Sequence, residues 1–122
     1  MKKNKILGIA LILSVLSVNP VFALNLNELR ASLRNGLNAS KTVVNQSRNW
    51  SNAEQAVAGW NKFSSQINQA ESAVQDAENY ESVNGSLESS DLQTVNQIKA
   101  NLRQIKNKMS AFGISTNWAI DL

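Results

Sequence analysis

Neither cysteine nor histidine occurs anywhere in the 122 residues. That removes Ser-His-Asp and Cys-His nucleophilic catalysis, thiol redox chemistry and the usual zinc sites. It also removes any disulfide staple, and any lipid attachment through an N-terminal cysteine. Proline occurs once, at Pro20, so the chain beyond it is free to form long uninterrupted helices. The five glycines are scattered and build no phosphate-cradling loop. The Glu-x-x-His pattern of di-metal bundles is absent. Asp76, Glu78, Glu81, Glu88 and Asp91 crowd around a predicted turn, where carboxylates are solvated charge rather than an acid–base pair. No cofactor or metal is expected, and the chain is not read as an enzyme.

What is present begins with the first 23 residues. Lys2, Lys3 and Lys5 precede an uncharged, mostly apolar stretch from Ile6 to Val18. Asn19 and Pro20 break it, and Val21-Phe22-Ala23 offers small residues at the first and third places before a cut. This is the layout of a secretory signal peptide. The apolar stretch is well short of the roughly 20 residues a spanning helix needs. Residues 1–23 are therefore expected to be a cleaved leader and 24–122 a single helical-bundle domain. The protein is expected to be exported, periplasmic or secreted, from a bacterial source.

Removing the leader changes the charge argument. The formal net charge of +3 comes from the three leader lysines, leaving nine cations against nine carboxylates. A neutral chain gives no global pull toward nucleic acid or anionic lipid. The 99 residues that remain can form one domain, held by apolar burial alone and with a small margin. Asn, Gln and Ser supply more than a third of them, a soluble but uncharged surface.

The clearest pattern lies in the middle. Ala53, Ala56, Trp60, Phe63, Ile67, Ala70, Val74 and Ala77 repeat in alternating steps of three and four, a heptad seam. Ser51 with Glu54 fits a capping box, and Asn84-Gly85 fits a helix end, so one helix is predicted from about Asn52 to Tyr80 or Glu81. A second ladder runs through Val95, Ile98, Leu102, Ile105, Met109 and Phe112, with Ser89 or Ser90 as cap and Gly113 as stop. The first segment carries Leu26, Leu29, Leu33, Leu37 and Val44 behind Asn25 or Asn27. It is predicted as one imperfect helix over about residues 26–50, with a break near Gly36 as the alternative.

The predicted fold is all-α: an up-down-up antiparallel three-helix bundle, or four helices if the first breaks near Gly36. A short apolar C-terminal tail, Ile114 to Leu122, packs on one end. A tight hairpin about Ser51 would set Leu29 opposite Ala73 or Val74, and Leu37 opposite Ile67 or Gln66. The Ser82–Ser89 turn would set Val74 opposite Ile98 and Ile67 opposite Ile105. These registers gather Trp50, Trp60, Phe63, Phe112 and Trp118 at one end, with Arg48, Lys62, Lys106 and Lys108. The acids gather at the other.

Large aromatics ringed by cations suit an acidic or amphipathic protein partner, and Trp60, Phe63, Trp118, Lys62 and Lys108 are the candidate binding residues. The competing reading is a core closed by aromatics, with the tail as plug. The expected function is that of a small exported binding or accessory protein acting on another protein. The alternatives are a bundle that opens onto a membrane surface, and a self-associating coiled coil or homodimer. Neutral charge argues against the membrane, and no nucleic-acid partner is expected.

Overall fold

The structure is a computed structural model that describes residues 10–12 and 24–122. The expected leader, residues 1–23, lies outside the described residues except for Ala10–Ile12. Those three form strand β1, and their backbone pairs in parallel with a tail strand, Ser115–Asn117 (β2). The other elements among the described residues are helices: α1 Leu26–Ser47, α2 Ala53–Lys62, α3 Ser64–Asn84 and α4 Ser89–Ala111.

Helix α1 starts where its sequence can cap it. Asn25 Oδ1 accepts from the Glu28 N–H at 2.8 Å, and Glu28 Oε1 accepts from the Asn25 N–H at 3.0 Å. This reciprocal box satisfies two otherwise orphaned donors. The helix then passes through Gly36 without a break. The glycine marks close approach, not termination. A Cβ built there would fall inside contact distance of the Ala73 Cβ and 3.5 Å from the Ala70 backbone.

The described residues do contain four helices, but the break falls at Phe63 rather than at Gly36. The long helix predicted from Asn52 to about Tyr80 is two helices joined at that residue, whose backbone (φ −104°, ψ 19°) departs from α geometry. Hydrogen bonds from Phe63 N–H to Gly59 O and from Ile67 N–H to Phe63 O bracket the kink, so the seam keeps its phase across it. Asn61 and Ser64 flank the kink, and the Ser64 hydroxyl bonds back to Asn61 O at 3.2 Å. Such short polar side chains compete for backbone groups that a continuous helix would use. Heptad spacing reports phase, and phase survives a one-residue kink.

Two caps also differ from expectation. The cap of α2 is Asn52, accepting from Gln55 N–H at 2.8 Å, while Gln55 Oε1 accepts from Ser51 N–H at 2.9 Å. The cap lies one residue beyond the expected Ser51, and the returning bond goes to the residue before the cap, so the reciprocal box is not formed. The cap position of α4 is Glu88, with no side-chain cap bond. At the other ends Gly85 (φ 92°) and Gly113 (φ 79°) terminate α3 and α4 in the left-handed backbone that glycine tolerates.

Helices α1, α3 and α4 pack on one another as the up-down-up bundle. Arg30 reaches Asp91 and Ser40 reaches Asn101, so α1 and α4 run parallel. Ser32 reaches Asp76 and Gly36 abuts Ala73, so α3 runs against them. The α1–α3 register sits roughly one heptad from that of a tight hairpin about Ser51. The offset arises because α2 occupies the turn. It is a whole heptad, so apolar positions still face apolar positions. The core runs from Leu29 to Ile120, with Ile67, Val74, Ile98, Leu102 and Ile105 fully buried.

Candidate functional site

The C-terminal ends of α1 and α4, all of α2 and the start of α3 meet at one pole of the bundle. Trp50 lies in the α1–α2 connection and is buried flat against Gly59. A Cβ on that glycine would collide with three atoms of the indole. Gly59 is therefore a docking surface for Trp50. Trp60 is 2 % exposed, and Trp118 from the tail meets it edge to face, with ring centroids 5.4 Å apart and planes at 83°. Such pairs add about 0.5–1.5 kcal/mol beyond the area they bury. The Trp118 indole N–H donates to Thr116 Oγ1 at 2.8 Å, so its polar atom is satisfied within the tail. Lys62 Nζ lies 5.6 Å from the centre of the Phe63 ring, and Lys108 Nζ lies 5.8 Å from that of Phe112. These are cation–π distances.

All five candidate residues fall at this pole. Their accessibility differs. Lys62 is exposed, while Phe63, Lys108 and Trp118 are half-buried. Trp60 lies beneath Trp118 and offers almost no surface of its own while the tail is in place.

One further residue belongs here and sequence reasoning did not single it out. Glu71 on α3 is 1 % exposed. Its Oε2 accepts from the Ala119 N–H at 2.6 Å. No ion pair reaches it among the described residues. Burial pushes its pKa above the ordinary 4.5, and the neighbouring backbone N–H groups of Ala119 and Ile120 only partly offset that. The available signal was local. Glu71 flanks the apolar seam between Ala70 and Ala73, with Ile67, Asn68, Val74 and Gln75 at helical spacing and no cation among them.

The consequence for stability has a definite sign. A carboxyl whose pKa is raised on folding holds more protons in the folded chain. Stability from this group therefore falls as pH rises from 4.5 through the folded value, and is flat outside that window. Glu71→Gln keeps an acceptor for the tail but cannot ionise. Its stability relative to the parent is expected to be highest at neutral pH and to shrink on acidification toward pH 4.5. Urea unfolding of both chains at several pH values reads this. A difference that grows on acidification would mean that the two N–H groups outweigh desolvation.

The opposite pole is held by ion pairs. Arg30 Nε and Nη2 reach the two carboxylate oxygens of the buried Asp91, each at 3.1 Å, and Nη2 reaches Glu88 at 2.9 Å. Beside them a shallow groove between α1 and α4 is lined by Arg34, Leu37 and Thr94. Among the described residues no group of acidic side chains is placed to hold a metal ion. Compared with known proteins, the chain matches no family model, no curated protein and no solved structure.

Proposed function

We propose that this is a small exported helical protein that acts by binding another protein through its aromatic, cation-bearing pole, with no catalysis of its own. The observation that supports the reading most is that Phe63, Phe112 and Trp118 are half-buried at this pole, with Lys62 near the Phe63 ring and Lys108 near that of Phe112. Rigid aromatics that keep part of their surface, with cations over their faces, are what interface anchors are made of. An acidic amphipathic segment is the partner that complements them. The seams of the bundle are consumed internally, which favours this reading over one in which the helices open onto lipid. No helix among the described residues is long and apolar enough to cross a membrane. Export rests on the leader pattern. The α1 capping box begins at Asn25, just beyond the expected cut. Protein recovered from an expressing bacterium is expected to begin at Leu24.

An acidic amphipathic peptide probe, titrated against isotope-labelled protein, tests the site. Chemical-shift changes are expected to centre on Lys62, Phe63, Lys108 and Trp118, and binding is expected to weaken at least tenfold in Lys62→Glu/Lys108→Glu. Tryptophan emission is expected to stay unchanged with anionic vesicles. Shifts elsewhere, or a lipid-induced blue shift, would count against the reading.

A further inference from the structure

The tail is built as a peptide lying on a receptor. From Ser115 onward exposure alternates: Ser115, Asn117, Ala119 and Asp121 face solvent, while Thr116, Trp118, Ile120 and Leu122 turn toward the bundle. Over Ser115–Asn117 this two-residue period is that of extended chain, and the chain then bends at Ala119 and Ile120. Helix α4 is already closed before this point. Gly113 donates to Ser110 O and Ile114 N–H reaches back to Met109 O at 3.0 Å, a complete C-terminal cap. The tail is thus joined to the helix by one covalent link and held by contacts of its own.

Those contacts divide as they do in peptide recognition, where backbone bonds anchor and alternate side chains specify. The backbone anchors are the ladder of Ser115–Asn117 with β1 and the Glu71 carboxylate, which receives the Ala119 N–H. The side-chain seats are the Trp60 ring for Trp118, and the apolar end of the core for Ile120. A buried carboxylate without a cation is an expensive way to hold a permanent element, since an apolar side chain would fill that space without the desolvation cost. It does suit the reading of main chain whatever sequence the main chain carries.

We propose that this pole is a receptor site for a peptide with an aromatic residue followed at alternate positions by apolar ones, and that residues 115–122 occupy it in cis as a displaceable ligand. The inference rests on the reading of this pole as the binding end and deepens it. When the tail lifts, Trp60 and Glu71 become the docking surface. The partner supplies the backbone N–H group and the aromatic side chain that Ala119 and Trp118 supply at rest. The resting tail also keeps Trp60 out of water, so the site is shielded until a better peptide competes.

Native-state amide exchange on the full chain tests the first half. The amides of Ala119 and Ile120 are expected to exchange at least a hundredfold faster than those of Ile98 and Leu102, with almost no dependence on low urea, because opening the tail exposes little surface. Exchange of all four through one urea-dependent opening would overturn the proposal. A labelled synthetic peptide of residues 113–122 tests the second half. It is expected to bind full-length Trp118→Ala at least tenfold more tightly than the parent, whose own tail competes, and to lose that affinity when its tryptophan is replaced by alanine. Equal or absent binding to a folded Trp118→Ala would overturn it. Should that variant unfold, Ser115→Pro/Asn117→Pro replaces it as the receptor with a weakened tail, and the same two outcomes decide. The acidic-probe titration reads the outer surface only, so the two readings fail separately.

Discussion

Trp60→Ala is expected to lower the unfolding free energy by about 3–5 kcal/mol, the largest loss from any single truncation at the aromatic pole. The residue is 2 % exposed and sits where α2, α3 and the tail converge. Its removal takes away the transfer free energy of a whole indole and leaves a cavity. It also strips Trp118 of its edge-to-face partner. The surroundings cannot readily collapse to fill the gap, because Trp50 is fixed on Gly59. Trp60→Phe retains a ring and is expected to lose less than half as much. Denaturant unfolding followed by circular dichroism distinguishes the two. Equal and small losses would mean that Trp60 is not the keystone of this pole.

Gly36→Ala is expected to destabilise the protein by about 1–2 kcal/mol, against the helix-propensity scale, on which alanine should gain about 1 kcal/mol in a helix interior. The reversal has a steric origin. A methyl group at this position meets the Ala73 Cβ inside contact distance, the Ala70 backbone at 3.5 Å and Ile98 Cδ1 at 3.4 Å. Only the isoleucine end can swing aside. The other two are fixed to α3, so α1 and α3 must separate, and overpacking of this kind costs about 1–3 kcal/mol. Gly36→Leu is expected to abolish the cooperative transition. As a control on the same helix, Asn38→Ala is solvent-exposed and should gain a few tenths of a kcal/mol. A stabilising Gly36→Ala would show that the two helices do not cross here.

The contrast between these residues explains how much of the molecule could be read from its sequence. The seams through Ile67, Val74, Ile98, Leu102 and Ile105 report burial directly, and burial at helical spacing is sufficient to imply a helical bundle. Gly36 could be read either as a breaker or as a contact, because a glycine's role depends on what faces it. The answer comes from Ala70 and Ala73, two small residues on another helix. The kink at Phe63 left no mark on the heptad, since both sides of it stay in phase. The gathering of the aromatics was legible because it needed only chain direction, and direction follows from short connections. The α1–α3 register was not, because it depends on α2 filling the turn. Glu71 escaped notice for a different reason. Its partner is a backbone N–H group of a tail 48 positions away, and backbone donors have no signature in a sequence.

The account rests on a tail docked into the aromatic pole of a three-helix core. Long-range proton NMR on the full-length protein measures that contact most directly. Cross-peaks between the ring protons of Trp60 and Trp118, together with an Ala119 amide shifted downfield by its bond to the Glu71 carboxylate, are the expected result. Trp118 resonances at unstructured positions, with no contact to Trp60 in a chain whose helices are intact, would contradict it.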